Sequence, residues 1–232
     1  PLGALAIAFV VRGPKGVRRS VGIDWIGAIL FAAFLTLLTV GLSFSGDIDI
    51  STVAVISAAL VTLIALGMRV RSAIDPLAPR RLFTSTQFLS ANAVHLLIGA
   101  MLIIGMVTIP LMANTVLGTD PLEGGLRLLR MTIAIPVGAV LGGILTQRIE
   151  IRLPAAAGLI LTAAGFYMMS RWDLAIADPT MTIHLAIAGF GFGLLISPVT
   201  TAAMTPAMEG DRGAASSLTT VSRMLGMTFG LA

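Results

Sequence analysis

Long apolar runs separated by short polar connections recur seven times along the 232 residues. They extend from Asp24 to Gly46, Ser51 to Val70, Phe88 to Met112, Gly125 to Gln147, Leu153 to Trp172, Met181 to Met204 and Gly213 to the C-terminus. About twenty apolar residues, rising about 1.5 Å each in a helix, cross a hydrocarbon core of about 30 Å. Strands of a membrane barrel are half that length and alternate in polarity, and lipid offers no partner to exposed backbone groups. The pattern therefore predicts an all-α, polytopic transmembrane helix bundle of about seven spans. Residues Pro1 to Val11 read as the tail of an earlier span, too short to cross alone. No signal-peptide pattern precedes them. The sequence is thus expected to be an internal piece of a larger, transporter-sized protein.

Charge placement orients the spans. Arg12, Lys15, Arg18, Arg19, Arg69, Arg71, Arg80, Arg81, Arg148, Arg152 and Arg212 all fall on one side if the helices alternate. The other side holds Asp47, Asp49, Asp120, Asp173 and Asp178, with Arg127, Arg130 and Arg171 at or near it. Basic loops stay cytoplasmic, so the first full span runs outward. The resulting expectation is a multi-pass protein of a bacterial inner (plasma) membrane, with the lipid bilayer as its first partner.

Composition removes other classes. Hydrophobic residues make up 56% of the chain and charged ones 11%, and mean hydropathy is +0.99, outside the range of soluble domains. The basic excess is only +4 and lies in short loops, so no nucleic-acid partner is expected. With no cysteine, disulfides and thiolate metal sites are excluded. No HExxH, P-loop, paired intramembrane Asp set or Ser/His pair is present, so the chain is not read as an enzyme and no catalytic residue, metal site or bound cofactor is expected.

Small residues and prolines punctuate the spans. Gly138 and Gly142 follow Ala134 at fourfold spacing, as Gly193 follows Gly189 and Gly230 follows Gly226; such ladders let helix backbones approach closely. Both static packing and contacts that slide between conformations fit them. Pro110, Pro136 and Pro198 lie inside spans and permit kinks.

Candidate chemistry sits on two stripes. The third span carries Asn92, His95, Gly99, Met106, Pro110 and Asn114 at spacings near multiples of 3.6. Polar residues at membrane depth avoid lipid, so this stripe either lines a path or bonds helix to helix through Asn92 and His95. In the seventh span Arg223 aligns with Ser216, Thr219, Gly226 and Gly230. A guanidinium at that depth reads as a gate or cavity residue, or as one that snorkels to a helix end. Arg130, nearer the outer surface, is expected to snorkel, and His184 to sit at the interface. The carboxylates, from Asp24 to Asp211, all map to loops or span ends.

Several short segments carry a resemblance when taken in order. Pro1-Leu2-Gly3, Asp24-Trp25-Ile26-Gly27, and Pro76-Leu77 with Leu82-Phe83 and Phe88 are similar to segments of the fourteen-span drug:proton antiporters of the major facilitator superfamily. So are Leu117-Gly118 through Pro121-Leu122-Glu123-Gly124-Gly125, the array Gly189, Gly191, Gly193 and Pro198, and Arg212-Gly213-Ala214-Ala215-Ser216. Gly143 to Arg148, with Arg152, occupies the place of that superfamily's cytoplasmic loop motif, but Gln147 replaces its acid and Glu150 its second glycine. The resemblance implies a partial major facilitator fold. Residues 1–22 would hold the end of a span and a basic loop, 23–72 two extra linker helices, 73–87 a cytoplasmic loop, and 88–232 an incomplete C-terminal bundle. It further implies proton-driven multidrug export, of small amphipathic drugs or toxic compounds, by alternating access against the missing N-terminal half, with the proton gradient as energy source. An exporter of a lipid or small metabolite on the same fold, or a non-transporting remnant, remains the alternative.

Overall fold

The computed structural model describes residues 24–43, 49–72, 80–173 and 176–231. The expectations for Pro1 to Val11, the first basic loop, Asp47, Pro76 and Leu77 fall outside these residues. Among the described residues the architecture is helical: α1 (Trp25–Ser43), α2 (Ile50–Ser72), the short α3 (Arg80–Thr84), α4 (Thr86–Thr115), α5 (Pro121–Leu145), α6 (Arg152–Met169), α7 (Asp178–Met204) and α8 (Arg212–Leu231). A 3₁₀ turn, Glu209–Asp211, leads into α8. Six of them, α1, α2 and α4 to α7, are long and apolar enough to cross a membrane. The seventh expected span forms as a helix of 20 residues but does not join that group. Ser216, Ser217, Thr219, Thr220, Ser222 and Arg223 make α8 too polar along one side.

The helix starts follow from local chemistry. The Gly27 amide donates to Asp24 Oδ1 at 2.9 Å, which makes Asp24 the N-cap of α1. The same oxygen accepts from Arg69 Nε at 3.2 Å and Nη2 at 3.1 Å, tying the start of α1 to the end of α2. The Gly27 amide and the Arg69 guanidinium hold the Asp24 carboxyl below its ordinary value of 3.8. At α4 the Phe88 amide donates to Ser85 Oγ at 3.3 Å. Asp120 caps α5, whose first residue is Pro121, a position where the missing amide costs nothing. Gly118 has φ of 63°, a left-handed turn that glycine makes without strain and that reverses the chain between α4 and α5.

Helix α7 is the hub. It packs along α5 on one side and α6 on the other, while α4 packs along α8 and also touches α5 and α7. The contacts are backbone to backbone: a methyl group at Gly138 would overlap the Phe190 carbonyl, at Gly193 the Ile135 carbonyl, and at Gly189 the Met131 carbonyl. The α6–α7 seam uses Gly158, Gly165 and Gly191 in the same way. Around these seams the core gathers Phe88, Ile98, Leu102, Phe192, Leu195 and Val199, with Phe166 edge-on to Phe192 at 5.8 Å. Helices α1 and α2 form a separate hairpin that meets the bundle chiefly where α1 touches α8.

Candidate functional site

The buried face of α4 runs through Phe88, Ala91, His95, Ile98, Leu102, Gly105 and Ile109, a spacing that alternates three and four. His95 is 1% exposed, and its Nε2 lies 3.3 Å from Thr200 Oγ1 on α7. One turn earlier, Asn92 Nδ2 donates to the Phe88 carbonyl at 2.8 Å, and Ser222 Oγ on α8 donates to Asn92 Oδ1 at 3.0 Å. The Arg223 backbone carbonyl lies against Gly99, and the Leu96 carbonyl against Gly226. Arg223 is half-buried, within electrostatic reach of His95, and no ion pair joins it among the described residues. Thr219 is buried and donates to the Ala215 carbonyl at 2.8 Å. The fold thus brings Asn92, His95, Thr219 and Arg223 together where α4, α7 and α8 meet.

The rest of the stripe divides. Met106 is 40% exposed, one position beyond Gly105, which is covered by Phe166 and Met131. A seam of about 3.5 residues per turn drifts against a 3.6-residue stripe, so a residue aligned with His95 on a straight helix stands outside the contact here. Pro110 is half-buried and Asn114 turns to Gly124 of α5. Ser216 is exposed. Of the packing residues, Gly142 lies against Leu194 and Pro198, and Gly230 against Ala100, but Pro136 is exposed and fills no helix contact.

At the opposite end the structure adds a polar cluster that periodicity did not single out. Arg127 is 8% exposed; its Nη2 donates to Glu123 Oε1 at 2.7 Å, while its Nε and Nη1 and the nearby α4 residue Asn114 leave buried atoms without protein partners. Arg130 does not snorkel freely: its Nη1 donates to both Asp178 oxygens at 2.8 and 2.9 Å and to Thr182 Oγ1 at 2.7 Å, linking α5 to α7. The readable signal for Arg127 was Glu123 four residues earlier on the same helical face. Trp172 Nε1 donates to His184 Nδ1 at 2.9 Å, so His184 is stacked and bonded as well as peripheral.

On the basic side, Gly143 lies 3.3 Å from Ser197 Oγ at the methyl position it lacks. Arg148 is exposed, and Arg152 meets Glu150 only loosely, at 3.5 Å. An open cleft of about 750 Å³ lies beside this loop, with Ser90, Val94, Ala155 and Ala202 among its walls. Among the described residues no cluster of His, Asp or Glu could hold a metal ion.

Six long apolar helices packed on one another, with the described carboxylates kept to loops and helix ends, define a multi-pass helical membrane protein. The chain is 34% identical over 255 aligned positions to a triacylglyceride transporter of Mycolicibacterium hassiacum, with all of this chain and 47% of the relative covered. A triacylglyceride transporter of Mycolicibacterium smegmatis is also 34% identical, with 100% and 45% covered. One of Mycobacterium tuberculosis is 31% identical over 252 positions, with 100% and 48% covered. The chain spans about half the length of the curated relatives it matches. No family model matches it.

Proposed function

We propose that these residues form part of a transporter, in the plasma membrane of a bacterial cell, that exports a neutral, ester-bearing lipid. The observation that carries this reading is the character of the interior. Every carboxylate among the described residues lies in a loop or at a helix end, and the α4–α7–α8 junction offers amide, imidazole, hydroxyl and guanidinium groups within apolar walls. There Arg223, joined by no ion pair among the described residues, would donate to ester carbonyls, and the junction gives a cationic drug no counter-charge. Similarity to proteins named as triacylglyceride transporters supports the same choice. Alternating access follows from the resemblance to the fourteen-span antiporters: the glycine seams let helices approach without interlocked side chains, and substrate would bind between two halves that rock around it. Proton coupling would then use an acid other than the described carboxylates.

Full-length protein in proteoliposomes tests the reading with two cargoes, a fluorescent triacylglycerol and a lipophilic cation. Movement of the glyceride, with little of the cation, is expected. Arg223→Ala should reduce glyceride movement at least about tenfold at equal protein level, the loss of one charge-assisted contact of about 1.5 kcal/mol or more. His95→Ala should have the smaller effect, because Thr200 is its one described side-chain partner. Transport of the cation alone, or unimpaired glyceride transport by Arg223→Ala, would overturn the assignment.

A further inference from the structure

Between the basic end of α2 and the short helix α3 lies an open groove of about 580 Å³. Its walls include Leu63, Leu66, Gly67 and Val70 from α2 and Phe83 from α3, with Arg80 at the rim. Leu63 and Phe83 remain 43% and 44% exposed, so no other described helix covers the groove. Leu82, 0% exposed, is set into the bundle core and anchors α3 there. An uncovered apolar groove on a membrane helix is filled by whatever surrounds it, and at this depth that is an acyl chain.

The rim decides which lipid. Arg69 is bonded to Asp24 at 3.1 Å, and Arg81 is paired with Asp211. Arg80 is exposed and has no carboxylate partner among the described residues; its only described contact is from Nε to the Val70 carbonyl at 3.4 Å. That contact ties the guanidinium to the end of α2 and leaves its Nη groups without a described partner. We propose that this groove is a binding site for an anionic phospholipid of the cytoplasmic leaflet, one acyl chain lying along Leu63, Leu66 and Val70 and the phosphodiester meeting Arg80. A phosphodiester accepts two parallel N–H bonds from one guanidinium. A zwitterionic headgroup carries its own cation next to the phosphate and competes for it, so the site prefers a net negative lipid. This site is separate from the α4–α7–α8 junction and does not depend on the cargo being a glyceride.

The test uses full-length protein in nanodiscs containing photoactivatable phosphatidylglycerol or phosphatidylcholine with the reactive group on the acyl chain, and maps labelled peptides by mass spectrometry. Labelling of residues 63–70 and 80–84 should favour phosphatidylglycerol about fivefold, the effect of one basic residue at a membrane surface. Arg80→Gln should abolish the preference, Arg80→Lys should keep most of it, and Arg148→Gln, on the same side but away from the groove, should leave it unchanged. Equal labelling by the two lipids, a preference that survives Arg80→Gln, or absence of label from α2 and α3 would overturn the proposal. Displacement of the label by millimolar inorganic phosphate would also overturn it, by showing a phosphate site without an acyl requirement.

Discussion

A single bond illustrates what polar side chains do in this bundle. Ser222 and Asn92, both half-buried, join α8 to α4 through one hydrogen bond of 3.0 Å. Bonds of this kind in membrane proteins average only about 0.6 kcal/mol, with about 1.7 at the top of the range, because the separated helices also find partners. A double-mutant cycle on Asn92→Ala and Ser222→Ala, read by unfolding in mixed detergent, should return a coupling near the lower figure. A coupling indistinguishable from zero would show that the bond orients the helices without stabilising them. The polar residues of α4 were legible because they interrupt an apolar run, and Asn92 and His95 do reach other helices. Arg127 was less legible: seven residues into an apolar helix an arginine looks like a surface charge, and the Glu123 spacing one turn back marks its ion pair but not its burial. The sequence also gives no indication that Arg130 ends on Asp178, 48 residues away, because α5 and α7 are neighbours only in space.

Along whole helices, glycine position matters more than hydrophobicity. Every described span is apolar around most of its circumference, so hydropathy identifies the helices without showing which faces meet. The glycine ladders do mark contacts: Gly138 and Gly193 belong to one seam, Gly226 and Gly99 to another. Gly193→Leu would drive a side chain into the Ile135 carbonyl and the Ala139 amide; it should cost about 3 kcal/mol or more and collapse the yield of monodisperse protein. Gly210→Leu, where nothing lies within contact range, should behave as wild type. A pH effect belongs to this scale too. Since the Asp24 carboxyl is held below its ordinary value in the folded pair, its contribution is complete above pH 3.8 and is lost as pH falls through the lowered folded value. Asp24→Asn should therefore reduce the thermal midpoint at pH 7, and the gap from wild type should begin to narrow below pH 3.8 and close as pH falls through the lowered folded value. A gap independent of pH would show that ionisation of Asp24 does not carry the effect. The amphipathic character of α8 was also present in the sequence. Its length fits a seventh span, but its serines, threonines and Arg223 set it apart from the six long apolar helices.

For the molecule as a whole, the alternation of basic and acidic connections predicts an arrangement that a cysteine-free chain makes simple to test. Arg148 and Asp173, both exposed, stand at opposite ends of α6. Single cysteines there should react with a membrane-impermeant maleimide from opposite sides of sealed vesicles, with position 148 protected in right-side-out ones. Reaction of both from one side would invert or break the topology. The order of the six long apolar helices was legible, whereas their pairing, α5 with α7 and α4 with α8, was not, because lipid-facing and protein-facing surfaces are built from the same residue types. The α1–α2 hairpin is the exception in being closed on itself, by Asp24 with Arg69 and by the approach of Ile56 to Gly41. Its partners are near in sequence and its link to the bundle is slight, so during synthesis it can complete its own contacts before α4 has left the ribosome. A nascent chain stalled after residue 110 should therefore already show a cysteine pair placed at Gly41 and Ile56 cross-linking in the membrane, giving the later helices a finished neighbour against which to insert.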